Sequence, residues 1–158
     1  MQMFQISQEL LDQCFAHGAQ AFPEEACGVL TGPGDRPETL DGFHPFDNKL
    51  GKLHALDPER YPRDATDGYH MDPLAYLKLE KAQTAQGRRV KVIYHTHPNV
   101  GAYFSEEDTQ QALWDGRPRH PEVVYLVCGV KDHQPDGAIW AWFNPETGGF
   151  TTQPALPV

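Results

Sequence analysis

The apolar, β-branched run Val90-Lys91-Val92-Ile93-Tyr94 passes without a break into His95-Thr96-His97-Pro98, and this junction constrains the fold more than any other stretch. Such a run reads as a strand, and strand side chains alternate between two faces. His95 and His97 therefore share a face, with Cα atoms roughly 6.5–7 Å apart. Two imidazoles so spaced can converge on one ion, each at about 2.0–2.1 Å. Thr96 lies between them, points to the opposite face and reads as a β-former packed into the sheet. Pro98 has no N–H to give, so strand pairing is expected to end there.

A helix start follows. Ser105 is a good N-cap, Glu106 and Glu107 suit the positive end of a helix dipole, and Asp108 falls at the third helical position. The spacing predicts a helix of about ten residues, running through Ala112, Leu113 and Trp114 to a stop at Gly116. Ser-x-x-Asp alone is a common capping box, and His-x-His alone recurs by chance. Joined at this spacing behind a strand, they offer His95, His97 and Asp108 as three N/O ligands. One tetrahedral position is then left for water, which is the arrangement of a catalytic zinc.

A zinc of this kind needs a base, and the chain offers a carboxylate pair, Glu24-Glu25, after Phe22-Pro23 at the edge of a predicted strand. Glu25-Ala26-Cys27-Gly28, followed by Val29-Leu30-Thr31-Gly32, resembles the glutamate segment of the JAMM (MPN-plus) metalloprotease family. His-Thr-His-Pro, six residues, Ser, two residues and Asp resembles that family's second signature without a departure in spacing. The resemblance spans roughly residues 7–145. It implies an α/β chain with a single-domain, cytidine-deaminase-like MPN fold, a mixed central sheet flanked by helices. It also implies one zinc held by His95, His97 and Asp108. Glu25, three residues before Gly28, would be the general base and Glu24 a solvated neighbour. Ser105 would help stabilise the tetrahedral intermediate. The implied reaction is hydrolysis of amide or isopeptide bonds at the C-termini of ubiquitin or ubiquitin-like proteins. For so small a chain, the resemblance points to a ThiS- or MoaD-like sulfur carrier ending in Gly-Gly. Such a tail can add as a strand beside an exposed sheet edge.

Length and charge agree with one enzyme domain. The 158 residues suffice for a single core, read as a catalytic domain over 1–150 and a loose tail over 151–158. A formal net charge of −9 disfavours nucleic acid and anionic membrane as partners. Cys14, Cys27 and Cys128 form no C-x-x-C and read as buried, reduced thiols. The remaining histidines, His17, His44, His54, His70, His120 and His133, sit in polar, turn-rich context and read as surface residues. With no leader-like N-terminus and no long apolar run, a soluble cytoplasmic protein is expected, and a homodimer stays open.

Elsewhere the order is mixed. Residues 7–20 predict a helix capped by Ser7, and residues 27–31 and 38–43 predict neighbouring strands around Gly32-Pro33-Gly34-Asp35. A helix over 73–86 is punctuated by Asp72, Pro73 and Gly87. Strands follow at 122–130, apolar enough for the sheet centre, and at 138–143. Residues 44–71 have no period and read as a substrate-contacting flap; Asn48 near its start receives no role. Two other functions remain open. A zinc amidase acting on small-molecule or short-peptide amides could use the same ligands. A non-catalytic interaction module of this fold would lack them, whereas here the set is complete. Deaminase His-x-Glu with Pro-Cys-x-x-Cys and thermolysin-like His-Glu-x-x-His are both absent.

Overall fold

In the computed structural model, which describes residues 4–158, the helical spacing of Leu10, Leu11 and Cys14 buries one side of α1 (Gln8–Ala21). Ser7 caps it by accepting the Leu10 N–H at 3.1 Å. The chain continues through β1 (Cys27–Pro33), β2 (Gly42–Phe46), α2 (Leu50–Leu56) and α3 (Pro73–Ala85). It then forms β3 (Arg88–Pro98), α4 (Glu106–Ala112) and a short ribbon of β4 (Leu113–Trp114) and β5 (Arg117–Pro118). Strands β6 (Val124–Lys131), β7 (Gln134–Asn144) and β8 (Gly149–Pro154) complete it. The main sheet has the order β2-β1-β3-β6-β7-β8, with β3 and β6 parallel and every other pair antiparallel. This is the mixed, helix-flanked sheet expected. Its unbroken apolar run makes β6 an interior strand, buried from Val124 to Val130.

Each face of the sheet carries its own core. Leu10, Leu11 and Cys14 of α1 pack on Leu30, Val92, Tyr94, Leu126 and Trp140. On the other face Val29, Ile93, Tyr125 and Ala141 meet Tyr69, Tyr76 and Ala112. The alternation along β3 is therefore legible: Val92 and Tyr94 face α1, and Ile93 faces away. His95 and His97 keep step with Ile93. Thr96 instead meets α1 at Gly18, where a Cβ would stand 2.6 Å from the Thr96 Cγ2. That glycine lets the helix lie directly against the back of the histidine strand.

Four expectations are corrected. Helix α4 stops at Ala112, because Leu113 turns extended (φ −112°, ψ 149°) and opens a hairpin. Asp115 (φ 52°) and Gly116 (φ 74°) form its turn, so Gly116 is a hairpin glycine and not a helix stop. Residues 44–71 contain the end of β2 and a short helix, α2, with Leu50 as its buried residue. The loose tail of 151–158 is in part strand: β8 pairs with β7 from Gly149 to Pro154, and Ala155 beyond it is buried. Pro154 closes an edge strand, a place where proline costs no ladder bond. Of the six histidines read as surface residues, His133 alone is exposed. His17 meets the Tyr94 hydroxyl at 2.8 Å, His44 the Thr31 hydroxyl at 3.0 Å and His54 the Tyr61 carbonyl at 2.7 Å. All three cysteines are buried and unpaired. No helix among the described residues is long and apolar enough to cross a membrane.

Candidate metal centre

Strand β3 delivers His95 and His97 to the face that α4 covers, and α4 returns Asp108 to them. The Nε2 atoms of His95 and His97 stand 3.1 Å apart. Asp108 Oδ2 is 3.1 Å from His97 Nε2, and its Oδ1 is 3.2 Å from His95 Nε2. Donors bound tetrahedrally to one zinc at 2.0–2.1 Å would be about 3.3 Å apart, close to this triangle. The cap explains how Asp108 is aimed. Ser105 Oγ accepts the Asp108 N–H and Ser105 N–H donates to Asp108 Oδ2, both at 3.0 Å. A capping box and a metal ligand are therefore compatible readings of one carboxylate.

Burial sharpens the electrostatics. His95 is fully buried, and burial lowers its pKa against the pull of Asp108, which favours the neutral imidazole a metal requires. Burial alone would raise Asp108, but His95 and hydrogen bonds from both imidazoles outweigh it and hold the carboxyl well below its usual range. Each histidine's Nδ1 is buried without a partner, as is Glu25 Oε1. Two facing imidazole nitrogens, a carboxylate and an orphaned glutamate oxygen in one dry place form a donor set that a divalent cation satisfies.

Glu25 reaches this set from beyond the end of β1. Cys27 lies opposite His95, and that register continues as Thr96 N–H donates to the Ala26 carbonyl at 3.0 Å. Thr96 Oγ1 accepts the Ala26 N–H at 2.8 Å, so Thr96 is more than a packed β-former. One side-chain donor atom each from Glu25, His95 and His97 lies within 4.8 Å of the others. The Glu25 carboxyl is pushed up to about 9, first by burial and then by Asp108 and Asp67, with Arg63 opposing. Glu24 beside it is exposed. Gly28 keeps this edge tight: a Cβ there would stand 2.6 Å from the Tyr94 hydroxyl.

The structure thus brings together Glu25, His95, His97 and Asp108, with Ser105 at the cap. Residues that carried no sequence signal surround them. Tyr69 stacks on His95 at 4.5 Å between ring centroids, and Tyr103 stands edge-on to His97 at 4.9 Å. Asn48 and Gln111 bond the chain around Tyr69. A groove of about 1340 Å³ runs past Asp108, between the segment holding Arg63 and Tyr69, Tyr76 of α3 and Trp114 of the ribbon.

Residues 7–143 match the family described as prokaryotic homologs of the JAB domain. The chain belongs to this family. It is the bacterial-type JAMM/MPN group that the two signatures resemble. Among curated relatives, the chain is 31% identical over 126 residues to a desampylase of Haloferax volcanii, covering 78% of this chain and 73% of that one. It is 30% identical over 129 residues to the CysO-cysteine peptidase of Mycobacterium tuberculosis, covering 80% and 73%. A probable TtuB-protein conjugate cleaving protease of Thermus thermophilus is 29% identical over 126 residues, covering 80% and 72%. The solution structure of protein DSY2949 from Desulfitobacterium hafniense superposes with a TM-score of 0.72 at 22% identity, over 99% of this chain and 93% of that one. That likeness establishes the fold. The enzyme class expected from the signatures, a JAMM-type peptidase, is the class of these relatives.

Proposed function

We propose that the protein is a cytoplasmic, zinc-dependent metallopeptidase. Its reaction is hydrolysis of the amide or isopeptide bond after the C-terminal Gly-Gly of a ubiquitin-like or sulfur-carrier protein. The observation that carries this reading is the buried triangle of His95, His97 and Asp108 with Glu25 beside it. The relatives add the substrate class, being named for cleaving CysO-cysteine and TtuB-protein conjugates. Three buried free thiols suit a reducing compartment.

His95, His97 and Asp108 would hold the zinc. Bound there, zinc supplies Lewis-acid polarisation of the scissile carbonyl and lowers the pKa of water. With a cation's charge beside it to offset the burial that pushes its carboxyl up, Glu25 would take a proton from the attacking water and return it to the leaving nitrogen, so that one carboxylate serves both half-steps. The Ser105 hydroxyl stabilises the substrate's carbonyl oxygen as it gains charge. The groove past Asp108 takes the extended tail, with residues 60–71 as its flap. Tyr69 and Tyr103 lie against the histidines, and a glycine before the cut bond would pass beside their rings with backbone alone.

The test is cleavage of a ThiS- or MoaD-like carrier fused through Gly-Gly to a short extension. Cleavage is expected directly after Gly-Gly, abolished by chelator and restored by zinc. Replacing the last glycine with a bulky residue is expected to lower kcat/KM sharply. Equal cleavage of free short peptides with unrelated ends would replace this reading with a general zinc amidase.

A further inference from the structure

Glu25 sits outside the sheet ladder, so strand pairing alone does not set where its side chain goes. Its backbone is held on both polar sides by another part of the chain. Its N–H donates to the Ala65 carbonyl at 2.7 Å, and its carbonyl accepts from Asn48 Nδ2 at 3.0 Å. The same Nδ2 donates to the Gly68 carbonyl at 3.0 Å. Asn48 Oδ1 accepts from Leu50 N–H and from His70 N–H, each at 3.1 Å. The amide thus spends both donors and both lone pairs on four backbone groups, and a flipped amide would oppose all four.

These bonds bracket Tyr69, the residue between Gly68 and His70. The Tyr69 carbonyl accepts from Gln111 Nε2 at 2.9 Å, and Gln111 lies on α4, the helix that carries Asp108. His70 is held a second time, its carbonyl accepting the Lys49 N–H at 2.9 Å. The Tyr69 ring, pinned from both sides, lies on His95 with 23° between the planes. One side chain therefore links the glutamate, the flap over the histidines and the start of α2.

We propose that Asn48 is a positioning residue that sets Glu25 against the histidines and seats Tyr69 on His95. This rests on the reading of Glu25 as general base. A purely structural asparagine would be needed only to start α2, which its accepted bonds accomplish and an aspartate could also provide. The donated pair requires the amide.

Asn48→Ala removes all four bonds, and Asn48→Asp keeps the two accepted ones while losing the two donated ones. The second variant serves should the first not fold. On the Gly-Gly carrier fusion, both variants are expected to lower kcat by about 10–100-fold, as for residues that orient a metal site's own groups. KM stays within about threefold, since the loss falls on the transition state. Zinc content by elemental analysis stays at the wild-type level, and amide exchange quickens at residues 65–70. Leu40→Ala, in the core on the opposite face, is the comparison at a temperature where every variant is folded. A kcat for the Asn48 variants equal to that of Leu40→Ala, or zinc lost from them, overturns the proposal. Glu25→Gln, run alongside, separates the two claims. Should it stay fully active, the base assignment fails and the Asn48 role with it. An inactive Glu25→Gln beside fully active Asn48 variants overturns the Asn48 role alone.

Discussion

The two halves of the site are built in different ways. The histidines and Asp108 come from one short stretch, a strand end and the helix cap that follows it. Their geometry is local: strand alternation pairs His95 with His97, and the Ser105 box turns Asp108 inward. Glu25 comes from a strand end far away in sequence and is placed by Thr96 of β3, through Ala26, and by Asn48 and Ala65 of the 44–71 segment. A contiguous half can be assembled by secondary structure alone. A half assembled by long-range bonds depends on residues that carry no chemistry of their own and can be disturbed without touching His95, His97 or Asp108.

His97→Ala would break the local half, with the largest effect. Zinc is expected to be lost and turnover abolished, read by elemental analysis and the carrier cleavage assay; equal zinc in variant and wild type would sink the ligand assignment. Ser105→Ala is milder, because Asp108 keeps the N–H of residue 105. Zinc should remain while kcat falls by about 10²–10³-fold, the usual worth of one oxyanion donor. Urea unfolding is expected to show a further loss of about 1 kcal/mol from the missing cap. An unchanged kcat would reduce Ser105 to a helix cap.

Thr96→Val probes the seam between the halves. It keeps the shape against Gly18 but leaves the Ala26 N–H without its side-chain partner, at a cost of about 1–3 kcal/mol. The last effect concerns pH. In zinc-stripped protein the Glu25 carboxyl, raised to about 9, holds a proton that the unfolded chain has released. Stability is therefore expected to fall as pH rises from 7 to 9, above the range where His95, lowered by burial, titrates. Glu25→Gln should flatten that slope in thermal melts, and an identical slope would show that another group carries it.

The same contrast decides what could be read beforehand. The sheet interior, α1, α3 and the approach of His95, His97 and Asp108 to one another were legible because each rests on periodicity, capping or spacing within a short window. Helix α2 buries only Leu50 and shows no period, and β8 is an edge strand with no fully buried residue, half-buried to Thr151 and exposed from Thr152 to Pro154, so neither announced itself. The Asp115-Gly116 turn did carry a hairpin signal, but a helix continuing to Gly116 competed with it. In the site, Glu25 was found through family resemblance and not through its neighbours. Asn48, Tyr69 and Gln111 could not be found, because each acts through bonds to segments distant in sequence.

The most direct test of the divided site is zinc content measured together with turnover in Glu25→Gln. The account predicts one zinc per chain, a wild-type melting profile at neutral pH with zinc bound, and turnover reduced by about 10²–10⁴-fold, the contribution of a positioned general base. Loss of zinc together with activity would contradict it, placing Glu25 among the ligands and making the two halves one.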